Sequence, residues 1–406
     1  MSFSVHKADW REQILSLPVF DTHTHMNKPG VPVAAQNVWD IVEYFWFRQE
    51  LESVGYPKRV NEPSESERID SFVEAFSRTR NTTWAQIVRE VFRSLYGIEL
   101  SDGASVRRAD EAVRATGVDA TWPRQVVDRL NIRRIATNIE SDVDYPDLPG
   151  VGAAVPLWEG YETWITRLCD LDDPRTVGEE AIAAVRQDVA GIAERGYRGM
   201  RVHVHPFERG SQEANLAAVL HGDQLPSRKI DESEAHAFLA HTILRALSEQ
   251  SGMFAQLFVG ITPLPGTGEM MGVGNSHTIP GLYPLFRRYD CDFELVAGAP
   301  RLNMDIVQVS RIYPNVHAGG LWWYNFRTST YLETLQARLE AVPAEKSVIL
   351  ASDGRCIEWC YAKTLLVKNL LADFLYAHIE AERIDRADAL WVAQEWLFDA
   401  AQRRYV

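Results

Sequence analysis

Two histidines separated by one residue have the clearest chemical potential in this chain. His23 and His25 lie at the end of PVFDTHTH (18–25), a run with the length and composition of a buried β-strand. Successive side chains of a strand point to opposite faces, so the two imidazoles share a face. Two neutral imidazoles there can bind one divalent metal ion, with Asp21 and Thr24 left for supporting or packing roles. The alternative is a pair of buried histidines satisfied by hydrogen bonds.

A carboxylate at the end of a second apolar run could complete this metal site. Asp353 closes SVILASD (347–353), and its carboxylate would face the same edge as the histidine pair. We therefore predict that His23, His25 and Asp353 bind one ion. A carboxylate beside a metal can also move a proton, and Arg355 could bind a substrate oxygen or hold the carboxylate. The competing interpretation is that Asp353 simply caps a helix.

Three further histidines lie in strand-like runs. His203 and His205 repeat the one-residue spacing in RVHVH (201–205), and His317 lies in NVHAGG (315–320). The pair could supply another ligand or a general acid or base, and we predict a catalytic role for His205 and a substrate contact for His203. One of the two could instead only donate to a neighbouring carbonyl group. His317 is predicted to face the substrate pocket.

An aromatic cluster follows the run that contains His317. The sequence LWWYN (321–325) could form a wall for a sugar ring or another planar substrate. Core packing explains two adjacent tryptophans almost as well, so the cluster alone does not identify a ligand.

The elements that must position these residues alternate along the chain. Short apolar or β-branched runs are mostly separated by stretches long enough for helices, which is the pattern of parallel βα units. Eight such runs predict an α/β fold, a closed (β/α)8 TIM barrel with its site at the carboxyl ends of the strands. The runs are PVFDTHTH (18–25), RRIATN (133–138), GAAVP (152–156), RGMRVHVH (198–205), MFAQLFVG (253–260), DFELVA (292–297), NVHAGG (315–320) and SVILASD (347–353).

The connection between the first two runs is far longer than the others. Residues 30–128 are helical and aromatic in composition, so we predict a helical insertion within one barrel domain that spans residues 1–406. Its segment TTWAQIVREVFRSLYGI repeats apolar residues at helical spacing, and Thr82 or Thr83 could cap that helix.

Composition and charge exclude several classes of partner. The chain has 42 basic and 56 acidic side chains and a net charge of -14, which disfavours nucleic acid. No signal sequence and no run of 18 apolar residues is visible, so no membrane partner is expected. The four cysteines scatter over the second half and are predicted to be reduced thiols of a cytoplasmic protein. A small-molecule substrate is the expected partner, and assembly into a homo-oligomer is left open.

DTHTH, the long helical insertion, WWYN and SDGR occur in this order and resemble the uronate isomerase (glucuronate isomerase) branch of the amidohydrolase superfamily. The resemblance runs nearly end to end. It implies a distorted barrel like that of metal-dependent hydrolases and aldose–ketose isomerisation of hexuronic acids. It also implies one divalent ion, usually zinc, held by His23, His25 and Asp353, with Arg355 and Trp322 lining the substrate site.

Several positions around the substrate depart from the family pattern. The insertion reads EYFWFR (43–48) where the family has His-Tyr before Trp-Arg, so Tyr44 and Arg48 remain as candidates for substrate contact. Glu159 stands where the family has an arginine for the substrate carboxylate, and Phe258 replaces a histidine of the fifth run. These changes surround the substrate and spare the metal ligands.

We therefore expect a metal-dependent isomerase that acts on a sugar acid or a related compound. A proton would move between adjacent carbons through an enediol, with Asp353 or a metal-bound hydroxide as the base and Arg355 stabilising developing charge. The alternative is a metal-dependent hydrolase or decarboxylase with a non-uronate substrate, because Glu159 and Phe258 replace polar groups that bind sugar. A non-catalytic binding protein is a third possibility, and the complete ligand set argues against it.

Overall fold

The strands of the chain form a ring of parallel elements. A computed structural model describes residues 6–26, 32–58, 64–137, 148–158, 160–208, 210–263 and 270–406. The strands in these ranges are Val19–Thr24 (β1), Ile132–Thr137 (β2), Gly152–Ala154 (β3), Gly199–Val202 (β4), Phe254–Val259 (β5), Ile261–Pro263 (β6), Met270–Gly272 (β7), Asp292–Ala297 (β8) and Val316–Ala318 (β9).

Backbone bridges close the ring. β1, β2 and β3 form one parallel sheet, and β4, β5, β8 and β9 form a second, each in that order. A bridge between Leu157 and Arg201 joins the two sheets. The segment 347–354, which we call the closing segment, joins the other edges of the two sheets. Ser347 bridges to the end of β9, and Gly354 bridges to the end of β1. The parallel elements are thus connected all the way round, as in a (β/α)8 barrel. β6 and β7 form a separate antiparallel pair.

Helices cover the outside of the ring and fill the connections. Their bounds are Lys7–Ser16 (α1), Val38–Val42 (α2), Phe45–Ser53 (α3), Glu65–Arg78 (α4), Thr83–Tyr96 (α5), Gly103–Gly117 (α6), Trp122–Arg129 (α7), Tyr161–Cys169 (α8), Arg175–Glu194 (α9), Gln212–His221 (α10), Glu232–Ser248 (α11), Thr278–Gly281 (α12), Tyr283–Arg288 (α13), Leu302–Ile312 (α14), Thr328–Ala341 (α15), Ile357–Glu380 (α16), Arg386–Gln394 (α17) and Ala400–Tyr405 (α18). None of the helices in the described ranges has the length and apolar character needed to span a lipid bilayer.

Alternating residues of β5 face two different environments. Ala255, Leu257 and Val259 pack in the core between the strands and the outer helices. Phe254 faces inward, where its ring lies 4.8 Å from that of Tyr405 on α18. This alternation is what a barrel strand requires, since one face lines the interior and the other meets the helices.

Helix α18 closes the end of the barrel at which the strands begin. The guanidinium of Arg404 donates to Glu294 at 2.6 Å, and the hydroxyl of Tyr405 donates to the same carboxylate. Glu294 lies on β8 and pairs in register with His317 on β9. We call Phe254, Glu294, His317, Arg404 and Tyr405 the barrel floor.

The segment between β1 and β2 is the predicted helical insertion, and it contains helices α2 to α7. Helix α5 begins after Thr82, whose hydroxyl accepts a hydrogen bond from the Ala85 amide at 3.2 Å. It ends at Tyr96 and is followed by Gly97, whose φ of 67° favours glycine. α5 packs against α16, so the insertion is attached to the helix that follows the closing segment of the barrel.

The predicted α/β barrel is confirmed. All of the predicted runs become strands except 347–353, which is an extended segment held by single bridges. β4 is shorter than its run, because it ends at Val202 before His203 and His205. That residues 1–406 form one domain stays a prediction.

Candidate metal centre

His23, His25 and Asp353 come together where β1 and the closing segment end. His25 Nε2 lies 2.8 Å from Asp353 Oδ1, and His23 Nε2 lies 3.5 Å from the same oxygen. His23 and Asp353 are buried, whereas the His25 side chain is 29% exposed. One side of the group is therefore open to a ligand from solution.

Backbone hydrogen bonds fix the three residues relative to one another. The Asp353 amide donates to the His23 carbonyl at 2.8 Å, and the His25 amide donates to the Gly354 carbonyl at 2.9 Å. Asp353 has a φ of 58°, a left-handed conformation that costs free energy for a residue with a side chain. This local strain at the end of a barrel strand is typical of functional positions.

Burial and mutual charge set the ionisation of the group. Burial lowers the pKa of His23 to about 3, so its imidazole is a neutral donor at pH 7. Burial by itself raises the pKa of Asp353, but His25 and His23 outweigh it and hold that pKa well below its usual range. Two imidazoles and an ionised carboxylate are the forms that bind a divalent cation.

The donor atoms fit one metal ion. His23 Nε2 and Asp353 Oδ1 are buried, and neither makes a hydrogen bond of good geometry with any described residue. Such atoms cost free energy in a protein that binds nothing at that point. The ligand atoms of the three residues all lie within 4.8 Å of one another, and the described ranges contain no other group of this kind.

A buried chain of hydrogen bonds supports Asp353 from the side of the insertion. The Tyr44 hydroxyl donates to Asp353 Oδ2 at 3.1 Å and accepts from Lys363 Nζ at 2.8 Å. Lys363 also donates to the Ser352 carbonyl and lies 5.0 Å and 4.5 Å from the rings of Trp84 and Phe326. Tyr44 thus holds one carboxylate oxygen while the other faces the histidines.

Asp21 supports the same group from within β1. Its Oδ1 accepts from the Ser352 amide at 2.8 Å, and its other oxygen has no partner among the described residues. Burial raises the pKa of Asp21 to about 6 against the opposing effect of Ser352. Asp21 thus fixes the backbone of Ser352, the residue that precedes Asp353, and its role in supporting a bound metal stays a prediction.

An aromatic wall covers His23. The ring centroid of His23 lies 4.6 Å from that of Phe258 and 5.7 Å from that of Trp322, and these two rings lie 4.6 Å apart. Arg201 extends over Phe258, with its Cζ 4.1 Å from the ring centroid. We call His23, His25, Arg201, Phe258 and Asp353 the barrel mouth.

Arg355 lies beside this site. It is exposed and lines a cleft of about 740 Å³ together with Tyr44, Phe45 and Cys356. A side chain in this position can reach a ligand that enters from the cleft. Its role as a catalytic or substrate-binding residue stays a prediction.

The structure corrects the interpretation of Arg48. Its Nε lies 2.8 Å from Glu52, its Nη1 pairs with Glu43, and its Nη2 donates to the Pro57 carbonyl at 2.9 Å. All of these partners belong to the insertion. Each nitrogen of the guanidinium therefore has a partner that holds α3 within the insertion.

The structure also corrects the interpretation of His317. Its Nδ1 contacts the Arg404 guanidinium and its Nε2 lies 3.5 Å from Asp292, the first residue of β8. His317 thus belongs to the barrel floor and does not face the mouth. The sequence pattern located the strand correctly but did not indicate which end of the barrel the His317 side chain faces.

His203 and His205 lie beyond the end of β4, where the strand alternation no longer applies. His203 Nδ1 and His205 Nε2 are 2.8 Å apart, and the His203 ring lies 4.5 Å from that of Tyr161. Neither belongs to the group of possible metal ligands. A catalytic role for His205 and a substrate contact for His203 stay predictions. Glu159, which marks a departure from the family pattern, lies outside the described residues.

Sequence reasoning missed two residues of this site. Arg201 lies within the run RVHVH, and its place between Met200 and Val202, which both pack in the core between the strands and the outer helices, was the available signal that it faces inward. Lys363 gave no signal, since a lysine within a long helix is usually on the surface.

Solved structures share this fold along nearly the whole chain. The uronate isomerase from Thermotoga maritima is 14% identical and aligns with 98% of this chain and 97% of its own, with a TM-score of 0.77. The glucuronate isomerase from Caulobacter crescentus is 15% identical over 98% and 93%, with a TM-score of 0.75. A protein from Lactobacillus casei, provisionally described as a metal-dependent hydrolase, is 12% identical over 97% and 96%, with a TM-score of 0.61.

Sequence comparison adds no closer relative. No protein-family model matches the chain, and no curated protein matches it in sequence. At identities of 12 to 15% the structural similarity establishes the fold alone. The chain therefore has the barrel fold of the uronate isomerases.

Proposed function

We propose that this chain is a metal-dependent isomerase that interconverts the aldose and ketose forms of a sugar acid, in the manner of a uronate isomerase. The observation that carries the proposal is the position of His23, His25 and Asp353. They lie at the carboxyl end of a barrel whose fold matches uronate isomerases over 98% of the chain. Active sites of such barrels lie at this end.

His23, His25 and Asp353 would hold the metal ion, which would polarise the oxygens of a bound substrate. We propose zinc, because two imidazoles and one carboxylate are a usual protein ligand set for that ion and leave a position for substrate. Nothing in the donor chemistry conflicts with this choice, since the buried ligand atoms lack other hydrogen-bond partners.

The reaction requires one proton to move between two adjacent carbons and a second proton to move from the hydroxyl oxygen to the carbonyl oxygen. We propose Asp353 as the residue that accepts it, because its carboxylate is held ionised and is positioned by Tyr44. Phe258 and Trp322 would exclude water from one side of the site. Arg355, in the neighbouring cleft, would stabilise the negative charge that develops on an enediol oxygen.

The four cysteines agree with a cytoplasmic enzyme. All of them are free thiols, and Cys291, Cys356 and Cys360 are buried. Unpaired cysteines are typical of a reducing compartment. We therefore propose the cytoplasm as the location and a small molecule as the partner.

Metal-assisted hydrolysis or decarboxylation is the second candidate. It is favoured by the aromatic wall, since Phe258 offers no hydrogen bond to a sugar hydroxyl, and by the structural similarity to a described metal-dependent hydrolase. The two candidates differ in their products. An isomerase gives a product with the mass of its substrate, whereas the alternatives release carbon dioxide or split the substrate.

The experiment that tests the proposal is incubation of the zinc-loaded protein with D-glucuronate and D-galacturonate, followed by NMR and mass spectrometry. A ketose product of unchanged mass, absent with the Asp353→Ala variant, would support it. Absence of any ketose from these acids, in a protein shown to contain metal, would contradict it. Release of carbon dioxide would favour the second candidate.

A further inference from the structure

Arg201 is a partly buried cation in the barrel mouth that none of the assignments above uses. It lies on β4, and its guanidinium covers the ring of Phe258, which in turn packs against His23. Among the described residues its guanidinium has no hydrogen-bond or ion-pair partner, and it lies against the face of the Phe258 ring.

The arginines that are buried in the described part of the chain, Arg48, Arg338 and Arg404, all have polar partners. Arg338 donates to the Gly319 carbonyl at 2.9 Å and to the Ser347 hydroxyl at 3.1 Å. Arg404 donates to the Glu294 carboxylate. Burial without a partner costs free energy, so an unpaired guanidinium in the mouth indicates a counter-charge that arrives with a ligand.

The electrostatics of the mouth favour an anion. Burial lowers the pKa of Arg201 to about 10, against the opposing effect of Asp353, so the group is still charged at pH 7. In the metal-loaded site one carboxylate would face two positive charges of the ion, because metal-bound imidazoles are neutral. The mouth would therefore stay positive in a protein whose net charge is -14.

We propose that Arg201 binds the carboxylate of an acidic substrate and so determines that the enzyme acts on acids. The face of Phe258 would hold the guanidinium plane and leave its edge donors free for two parallel hydrogen bonds to a carboxylate. This assignment rests on the proposed function, since it names the group by which the substrate of that same site is recognised.

The test compares an acid with its neutral amide. D-Glucuronate and D-glucuronamide are titrated by calorimetry into zinc-loaded wild type, Arg201→Gln, Arg201→Lys and Arg198→Gln, and kcat and KM are measured with D-glucuronate. Arg198→Gln is the matched control, because this exposed arginine precedes the same strand at its other end. Metal content is measured for each protein.

We expect Arg201→Gln to weaken D-glucuronate binding and raise KM by about 10- to 100-fold, the loss of one charge-assisted interaction. The effect on kcat is smaller, because the carboxylate is bound before and during the reaction. D-Glucuronamide binding and metal content stay unchanged. Arg201→Lys recovers part of the affinity, since it keeps the charge and loses the bidentate geometry. Arg198→Gln behaves as wild type.

The outcomes separate this inference from the proposed function. Selective binding of the acid that is lost in Arg201→Gln, without turnover in the wild type, would support the role of Arg201 and contradict the isomerase. Turnover with an unchanged KM in Arg201→Gln would support the isomerase and contradict the role of Arg201. Equal binding of acid and amide by the wild type would overturn the role of Arg201 whatever the reaction. If Arg201→Gln does not fold, Arg201→Lys decides, and an affinity equal to wild type overturns the proposal.

Discussion

The two ends of the barrel contain the same kinds of polar side chain but differ in whether these side chains have hydrogen-bond partners. At the floor, Glu294 accepts from Arg404, and His317 contacts the same arginine. At the mouth, His23 and Asp353 have buried atoms without hydrogen-bond partners. An imidazole, a carboxylate and a guanidinium are present at both ends. At the floor the guanidinium contacts the other two groups, whereas at the mouth the Arg201 guanidinium lies over Phe258 and contacts neither.

This difference separates a structural role from a binding role more clearly than residue type does. Paired charges at the floor lock α18 against the ends of the strands. Unpaired ligand atoms at the mouth lower stability, and a fold retains them where a ligand will satisfy them. His317 and His23 illustrate the point. Both lie on barrel strands, but His317 contacts Arg404 and Asp292, whereas the buried Nε2 of His23 has no hydrogen-bond partner.

The largest effect is expected for the ligands at the mouth. Asp353→Ala and His23→Ala should each lose the bound metal and reduce activity by more than the roughly 10- to 100-fold typical of residues that only orient a ligand. The physical reason is that each removes a donor atom directly. Elemental analysis and kcat/KM measure the two effects. Full metal occupancy in either variant would mean that these residues do not bind the ion.

A change of the floor carboxylate should lower the stability of the protein and leave its metal content unchanged. Glu294→Gln leaves the buried Arg404 without a counter-charge, which typically costs about 3 to 5 kcal/mol of unfolding free energy. Metal content should stay at the wild-type level, because Glu294 touches no ligand residue. Urea denaturation measures the free energy of unfolding, and elemental analysis measures the metal content. A loss of metal with unchanged stability would break the distinction between floor and mouth.

A smaller effect is expected for the residue that orients Asp353. Tyr44→Phe removes the hydrogen bond to Asp353 Oδ2, and we expect metal affinity to fall by about 10-fold, the lower limit for supporting residues. Competition with a chelator measures the affinity. Tyr331→Phe is the matched control, since its buried hydroxyl donates to the Ile349 carbonyl away from the ligands. Equal affinities in the two variants would contradict a positioning role for Tyr44.

Strand periodicity was sufficient to predict the barrel and the approach of His23 and Asp353. The carboxyl ends of parallel strands meet, so residues far apart in sequence could be placed at one edge. The same argument failed for His317, because its side chain lies low in the barrel and meets an arginine from the C-terminal helix. The position of that helix depends on tertiary packing, which periodicity does not encode.

Partner choice was the second feature that the sequence did not encode. Arg48 was expected to contact substrate but is used by Glu43 and Glu52 within the insertion. Arg201 was not selected, although its guanidinium has no hydrogen-bond or ion-pair partner among the described residues. Which arginine is paired depends on helices that fold against each other, whereas a sequence motif reports only that an arginine is present.

The smallest effect concerns the pH dependence of the floor. Burial and Arg404 lower the pKa of His317, and Lys346 lowers it further. Asp292 acts in the opposite direction but does not outweigh them. The unfolded chain therefore binds a proton at a higher pH than the folded protein does, so stability falls as pH decreases through the ordinary histidine pKa of about 6.5.

His317→Gln should remove this dependence between about pH 7 and pH 5. The window lies above the titration of Asp292, because the effect of burial is outweighed by His317, Arg404 and Lys346, which hold the pKa of Asp292 below its usual value. Protonation of Asp292 therefore does not mimic the effect. Urea midpoints at several pH values measure it, with His221→Gln as the control because that histidine is exposed on α10. Parallel curves for wild type and His317→Gln would mean that His317 takes up its proton over the same pH range in the folded and the unfolded protein. A charged His317 would also mean that the floor tolerates an excess positive charge beside Arg404, and pairing would then no longer distinguish the two ends of the barrel.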